Sequence, residues 1–234
     1  MEDFKKAGIH TQYILTSESE ETGQAFITVD EAGQNTILVY GGANMTLSAT
    51  DVEMSAEAFI GADFVVAQLE VPFEAIEQAF KIARKQNITT VLNPAPAIEL
   101  PKSLLELTDI IIPNETEAEL LTGISINNES DMKETATYFL DLGISAVLIT
   151  LGEQGTYCAY QEQYKMIPAC NVKAIDTTAA GDTFIGAFLS ELNKDLSNLE
   201  SAIRLANQAS SLTVQRKGAQ ASIPTRKEVE AEYN

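Results

Sequence analysis

The chain has 234 residues, of which 45% are hydrophobic, and its 34 acidic and 15 basic residues give a net charge of −19. This length predicts one substantial core, and the charge argues against nucleic acid or an anionic membrane surface as a partner. No apolar run approaches the about 20 residues that span a membrane, and the N-terminus lacks an apolar signal core, so we expect a cytoplasmic protein.

The first predicted element is a β-hairpin. Residues 24–28 and 36–40 are rich in β-formers and flank a polar loop at residues 30–35. Because an isolated hairpin is only marginally stable, we expect it to pack against another surface. An ordinary hairpin at a sheet edge is the alternative to a functional element.

From about residue 59 the sequence alternates short apolar strands with helices. Strands are predicted at residues 63–67, 89–92, 110–112 and 146–150, and helices after Pro72 and at residues 115–121, 131–142, 201–214 and 225–233. Gly123 and Gly143 are typical helix terminators. This order predicts an α/β fold with a doubly wound, mostly parallel sheet flanked by helices, and with ligands at the carboxyl ends of the strands. We expect Cys158, Cys170 and His10 to form no zinc site.

Residues 176–184 (DTTAAGDTF) join a loop of small residues to an apolar helix. The unpaired amides and the dipole of a first helical turn bind anions, and Ala180 and Gly181 allow an anion to approach closely. Asp182 lies at this junction, where a carboxylate can accept the proton of an attacking hydroxyl. Residue types and spacing alone fit an ordinary capped and closely packed helix start equally well.

Two acidic positions follow predicted strands. Asn114 and Glu117 lie one helical turn apart, where their oxygens suit Mg²⁺; stabilisation of a helix N-terminus by acids is the alternative. Glu70 follows the strand at residues 63–67, and the alternative is an acid that simply precedes a proline-initiated helix. The glycine-containing segment at residues 150–155 fits a turn between strands as well as a ligand-binding loop.

Together these stretches resemble the ribokinase (PfkB-type) family of sugar kinases, whose signature is similar to residues 176–184. Residues 41–44 (GGAN) and 93–97 (NPAPA) share the wording of its ribokinase branch, and the resemblance covers essentially the whole chain. It implies transfer of the γ-phosphoryl group of ATP to the 5-hydroxyl of ribose. Asp182 would be the general base and a sugar contact, and the helix start at Ala180, Gly181 and Asp182 would be the anion hole.

The resemblance also implies the cofactors and their residues. ATP would contact Asn114, Thr150, Leu151, Gly152, Glu153, Gln154, Gly155, Gly181 and Asn207, and Glu70 would contact the sugar. Mg²⁺ would be held by Glu117, through water. A monovalent cation, K⁺, would be held mostly by backbone carbonyls at Asp176, Thr178, Thr213, Arg216, Gly218 and Ser222. The hairpin resembles the family's β lid, which implies a homodimer joined through the lid.

The chain departs from the family pattern in one respect. Family members begin with a strand that carries a sugar contact, followed by a Gly-Gly-Lys-Gly-Ala-Asn-type motif, and neither is found here. We therefore expect a shortened member, with residues 1–50 as the remnant of the lid and its connections and residues 51–234 as the nucleotide-binding core with the catalytic loop. The alternatives are a non-catalytic nucleotide-binding remnant, a related kinase for another sugar or nucleoside, and a structural module without a ligand.

Overall fold

The computed structural model describes residues 1–29 and 35–233, so the predicted hairpin loop at residues 30–34 lies outside the described residues. The strands are β1 (Gln24–Val29), β2 (Asn35–Tyr40), β3 (Phe64–Ala67), β4 (Thr89–Leu92), β5 (Ile110–Ile111), β6 (Ala146–Thr150), β7 (Thr156–Tyr160) and β8 (Gln163–Ile167). The helices are α1 (Glu2–Lys6), α2 (Ala49–Met54), α3 (Phe73–Lys85), α4 (Lys102–Leu105), α5 (Glu115–Thr122), α6 (Glu129–Asp141), α7 (Ala180–Glu191), α8 (Leu199–Thr213) and α9 (Arg226–Tyr233).

Six strands form one mixed sheet in sequence order, from β3 at one edge to β8 at the other. Strands β3 to β6 are parallel, and β6, β7 and β8 are antiparallel neighbours. A separate antiparallel hairpin pairs β1 with β2, with Gln24 opposite Tyr40. The predicted hairpin and the predicted mostly parallel sheet flanked by helices are therefore confirmed.

Strands β7 and β8 were not predicted from the sequence. They are joined by a tight turn in which Gln161 and Glu162 have φ values of 49° and 61°. Turns of this kind usually carry Asn or Gly, which tolerate positive φ. The absence of those residues removed the local signal for this hairpin.

The core lies on both faces of the sheet because successive side chains of each strand point to opposite faces. Val91 and Ile110 pack with α7 and α8 on one face. On the other face Leu92 packs with α3 and α4, and Ile111 packs with α5 and α6. Burial on both faces explains why these strands are continuous apolar runs.

The helix boundaries follow local capping chemistry. Pro72 is the N-cap of α3, and Gly123 ends α5 with a left-handed φ of 73°. Helix α6 begins at Glu129, before the predicted start, because the Asn128 side chain accepts hydrogen bonds from the amides of Ser130 and Asp131. In the described part of the chain, no helix has the length and apolar character that crossing a bilayer requires.

Both cysteines are free thiols. Cys158 is buried in the sheet, and burial raises the pKa of its thiol to about 12. Cys170 is half-buried, and His10 is exposed. Over residues 1–29 and 35–233, no group of three or more His, Cys, Asp or Glu side chains is arranged to hold a metal ion.

The turn between β6 and β7 depends on a glycine. Gly155 has a φ of 110°, and a Cβ atom there would overlap the carbonyl oxygen of Ile167. Gly143 also has a positive φ, of 93°, but a Cβ atom at that position would meet no other atom within 4 Å. Substitutions at these two glycines therefore distinguish the energetic cost of backbone strain from that of a steric clash.

We expect Gly155→Ala to lower the free energy of unfolding by about 3 kcal/mol or more, since it combines a left-handed φ with overpacking. Gly143→Ala is the matched control and should cost only about 1–2 kcal/mol, the strain alone. Urea unfolding of both variants measures the difference. Equal losses would contradict the steric role of the contact with Ile167.

Candidate active site

The first turn of α7 presents two unpaired amides. The Ala180 amide donates to the Thr177 carbonyl (3.2 Å) and the Thr183 amide to the Ala179 carbonyl (2.9 Å). Among the described residues, the amides of Gly181 and Asp182 have no acceptor, and a Cβ atom at Gly181 would meet no other atom within 4 Å. Of the predicted anion-hole residues, Gly181 and Asp182 thus offer free donors, whereas the Ala180 amide is already used.

The backbone entering α7 is strained. Ala179 is the N-cap and lies in the left-handed region, with a φ of 62°. A residue with a Cβ atom is uncommon there and costs about 1–2 kcal/mol. Strain of this kind concentrates at functional sites, where the surrounding structure enforces it.

Packing against the sheet and α8 fixes the position of this turn. Phe184 and Phe188 are buried and stacked, with ring centroids 6.1 Å apart. The Ser210 hydroxyl donates to the Ala180 carbonyl (2.9 Å), and the Thr213 hydroxyl donates to the Thr183 hydroxyl oxygen (3.0 Å). The apolar face of α7 is therefore anchored, while Gly181 and Asp182 stay exposed.

Asp182 contacts Gln68, which follows the first strand of the sheet and bonds in turn to Asn93 after the second strand. Gln68 donates from Nε2 to Asp182 Oδ1 (3.1 Å) and to Asn93 Oδ1 (2.8 Å). Asn93 donates in turn from Nδ2 to the carbonyl of Ile112 (2.8 Å). The sequence interpretation did not identify Gln68 as a site residue, although its position directly after a parallel strand is the signal that could have found it.

Glu70 lies at the same edge of the sheet. Its side chain is exposed and forms no hydrogen bond within the described residues. Gln68, two residues earlier, makes the contact with Asp182 instead. The role of Glu70 as a sugar contact stays a prediction.

Asn114 and Glu117 form a reciprocal cap at the start of α5. The Asn114 amide donates to Glu117 Oε2 (2.9 Å), Asn114 Nδ2 donates to Oε1 (2.9 Å), and the Glu117 amide donates to Asn114 Oδ1 (2.8 Å). The Glu117 side chain is only 6% exposed, and no Lys or Arg pairs with it in the described part of the chain. Desolvation raises the pKa of Glu117 despite the hydrogen bond from the Asn114 amide.

The glycine-containing loop lies beside Asn114. Asn114 and Thr150 form a parallel backbone bridge, so the end of β6 and the start of α5 are neighbours. A short 3-10 turn at Gly152–Gln154 follows, and its three residues are exposed. Leu151 and Gly155 are buried and anchor the two ends of the turn. The predicted nucleotide loop therefore joins two strands and is exposed at the ligand edge of the sheet.

Asn207 is buried in α8 and has a structural role. Its Oδ1 accepts from the Thr156 hydroxyl (2.9 Å), and its Nδ2 donates to the carbonyls of Ile167 (3.1 Å) and Pro168 (3.2 Å). These bonds join α8 to β7 and to the end of β8. Nothing in the sequence pattern indicated this network, and the adenine contact at Asn207 stays a prediction.

The predicted cation loop is partly assembled around Asp176. Its Oδ1 accepts from the Thr178 hydroxyl (2.6 Å) and amide (3.0 Å), and its Oδ2 accepts from the Gly218 amide (3.0 Å). The Thr178 hydroxyl is the largest cause, ahead of the Gly218 amide, of a pKa that is lowered to about 2. Asp176 is therefore ionised throughout the neutral range.

The other three residues of that set direct their side chains elsewhere. Thr213 donates to Thr183, Arg216 pairs with Glu228 (2.7 Å), and the Ser222 hydroxyl donates to a neighbouring carbonyl (2.6 Å). The Thr213 and Ser222 hydroxyls thus use their hydrogens within the protein, and the Arg216 guanidinium cannot bind a cation. This agrees with the expectation of mostly carbonyl ligands but does not test it.

Comparisons with known proteins agree on one family. A sequence model described as pfkB family carbohydrate kinase matches residues 1–226. Ribokinase of Staphylococcus aureus strain COL is 63% identical over 229 residues, which are 98% of this chain and 75% of that protein. A structure of Arabidopsis thaliana ribokinase complexed with ribose and ATP is 33% identical, with a TM-score of 0.86 over 96% of this chain and 73% of that one. Ribokinase from Thermotoga maritima gives 35% identity and a TM-score of 0.84 over 98% and 74% of the two chains.

The hydrogen bonds on Asp176 predict a pH-dependent stability difference. Because folding lowers the pKa of this carboxyl from 3.8 to about 2, its contribution is complete above about pH 4 and is lost as the pH falls towards 2. We expect wild type to melt at a higher temperature than Asp176→Asn at pH 6, with the gap closing below pH 4. Thermal unfolding followed by circular dichroism measures it.

Thr178→Val is the matched variant, because it removes the hydroxyl donor and keeps the amide. The melting temperature of Thr178→Val at pH 6 should also lie below that of wild type, by a smaller difference than for Asp176→Asn. This difference should likewise close below pH 4. A gap between wild type and Asp176→Asn that is as wide at pH 2 as at pH 6 would contradict the assignment.

Proposed function

Because the chain belongs to the pfkB family of carbohydrate kinases, we propose that it transfers the γ-phosphoryl group of ATP to the 5-hydroxyl of ribose. The observation that carries this proposal is the exposed Asp182 carboxylate beside the unpaired amides of Gly181 and Asp182. Similarity to the Arabidopsis ribokinase that was solved with ribose and ATP supports the choice of both substrates.

We infer an in-line transfer, as is general for phosphoryl-transfer enzymes. Asp182 accepts the proton of the sugar hydroxyl as that oxygen bonds to the γ-phosphorus, and the bond from phosphorus to the β,γ-bridging oxygen breaks to release ADP. The Gly181 amide and the dipole of α7 stabilise the charge on the phosphoryl oxygens during transfer. Backbone amides can hold phosphate groups even in a chain with a net charge of −19.

We assign nucleotide binding to the edge formed by Asn114, Asn207 and residues 150–155. The buried Glu117 carboxylate without a cationic partner is the feature that fits Mg²⁺, since oxygen ligands and a local negative charge are what this ion prefers. When bound, Mg²⁺ supplies neutralisation of the phosphate charges. Asn114 orients the carboxylate through its two hydrogen bonds.

A monovalent cation, K⁺, is proposed for the loop around Asp176. The carboxylate, which is ionised at neutral pH, and the ordering of Thr178 and Gly218 around it fit a cation that shapes the adjoining turn of α7. The wider set of Thr213, Arg216 and Ser222 would contribute backbone carbonyls.

We propose that the β1–β2 hairpin is a lid that covers the sugar and joins two copies of the chain. Phe26 and Leu38 are paired on one face of this hairpin and are 53% and 69% exposed, and Val39 on the opposite face is 60% exposed. Exposed apolar side chains that lie together mark interaction surfaces. Residues 1–50 would then form the lid and its connections, and residues 51–234 the nucleotide-binding core. The cytoplasmic location stays a prediction.

Replacing the proposed base tests the function directly. We expect Asp182→Asn to lower kcat for ribose phosphorylation by about 10²-fold or more, since a positioned base contributes this much. Calorimetry should show ATP affinity within about twofold of wild type, because an amide preserves the size of the side chain. Asp141→Asn, an exposed site at the end of α6, is the control and should retain full activity.

Other outcomes of this experiment separate the alternatives. Wild-type chain that binds ATP but phosphorylates neither ribose nor a panel of sugars and nucleosides would contradict the proposed function and indicate a non-catalytic nucleotide-binding protein. Preference for another acceptor in that panel would change the substrate and retain the role of Asp182.

The Mg²⁺ assignment predicts a change in metal dependence. In Glu117→Gln the half-saturating Mg²⁺ concentration should rise about tenfold or more, as for other groups that orient metal ligands. Glu115→Gln, at an exposed position of the same turn, should leave it unchanged. Thermal melts check that both variants fold. An unchanged Mg²⁺ requirement in folded Glu117→Gln would overturn the assignment.

A further inference from the structure

Three neighbouring parallel strands end in one hydrogen-bonded row. Gln68 directly follows β3, Asn93 directly follows β4, and Ile112 directly follows β5. The row runs from the Ile112 carbonyl to Asn93 Nδ2 (2.8 Å), from Asn93 Oδ1 to Gln68 Nε2 (2.8 Å), and from Gln68 Nε2 to Asp182 Oδ1 (3.1 Å). It connects the middle of the sheet to the carboxylate at the start of α7.

The main-chain carbonyl of Ile112 determines the direction of every bond in this row. A carbonyl only accepts, so the Asn93 amide must direct Nδ2 towards it and Oδ1 towards Gln68. Gln68 must then present its NH₂ group, whose two hydrogens serve Asn93 and Asp182. Reversal of either amide would place two acceptors face to face. Asn93 is only 9% exposed, so water does not readily replace its lost partner.

We propose that Gln68 is a positioning residue for Asp182, and that Asn93 sets the orientation of the Gln68 amide. This inference rests on the proposed function, in which Asp182 is the general base. The bond from Gln68 occupies Oδ1, and Oδ2 accepts no hydrogen bond from the described residues. The proton of the sugar hydroxyl therefore passes to Oδ2, and Gln68 keeps that oxygen directed at the hydroxyl.

Two substitutions at Gln68 test whether catalysis depends on the hydrogen bond that this residue donates or only on the size of its side chain. Gln68→Met keeps the length of the side chain and removes the hydrogen-bond donor. We expect kcat to fall about tenfold, which corresponds to the loss of one hydrogen bond to a charged group. KM for ATP should stay within about twofold of wild type. Gln68→Glu keeps the shape but places a second carboxylate beside Asp182, so its kcat should fall further. A kcat for Gln68→Glu equal to or above that of Gln68→Met would overturn the inference.

A double variant tests whether Gln68 acts through Asp182. In Asp182→Asn, the further change Gln68→Met should alter the residual kcat by less than about twofold, because the positioned base is already gone. A purely structural role for Gln68 predicts the same tenfold loss again, and that result would overturn the inference. Gln78→Met is the control: Gln78 Nε2 donates to Glu53 Oε1 (2.9 Å) between α3 and α2, away from the site, and kcat should be unchanged.

A readout that does not depend on activity separates this inference from the proposed function. The side-chain amide protons of Gln68, identified in NMR spectra by their loss in Gln68→Met, should exchange slowly in wild type. In Asp182→Ala one of the two should exchange faster. Equal exchange rates in wild type and Asp182→Ala would contradict the hydrogen bond from Gln68 to Asp182. The proposal that the protein phosphorylates ribose would be unaffected by that result. Protected amide protons in a chain that phosphorylates no acceptor would instead overturn the proposed function and, with it, the role of Gln68 in catalysis.

Discussion

The packing of α7 against the sheet is the interaction on which the candidate site depends. Phe184 and Phe188 bury one side of the helix, and the Thr183 hydroxyl accepts a bond from α8. Burial of these two rings holds the helix in one orientation, because rotating it about its axis would expose them to water. The opposite side of the first turn therefore stays at the surface, where Gly181 and Asp182 are exposed and Asp182 bonds to Gln68 at the end of β3. The proposed anion binding and the proposed proton acceptance both depend on this one placement.

The parallel order of the strands supplies the rest of the site. Because parallel strands end at a common edge, the residues that follow them become neighbours although they are far apart in sequence. Gln68 and Asn93 illustrate this at one end of the edge, and Asn114 and Thr150 at the other. The residues proposed to contact the sugar and those proposed to contact the nucleotide thus follow strands of one sheet edge, with α7 packed on the sheet.

Several candidate residues also hold the fold together. Glu117 caps α5 and is the proposed contact to Mg²⁺, Asn207 joins α8 to the antiparallel strands, and Asp176 orders the loop that leads to α7. Buried or fully bonded polar groups are costly to disturb, so substitutions at these positions change stability as well as binding. A substitution at one of these residues therefore affects both the fold and the proposed chemistry. Gln68 and Asp182 are partly or fully exposed, so they can be replaced with a smaller loss of stability.

Features that depend on neighbours in the chain could be predicted from the amino-acid sequence alone. The bounds of β4, the end of α5 at Gly123 and the small-residue loop before Asp182 were all predicted, because apolar periodicity, left-handed glycines and first-turn amides are local properties. Which distant side chains come into contact depends on the packing of the whole fold. Gln68 and Asp182 are 114 residues apart in the sequence. Their contact requires the strand order of the sheet, the packed position of α7 and the orientation of the Asn93 amide together. The antiparallel pair β7 and β8 was likewise not predicted, because its turn carries Gln and Glu instead of Asn or Gly, and its place in the sheet follows from the pairing of β7 with β6.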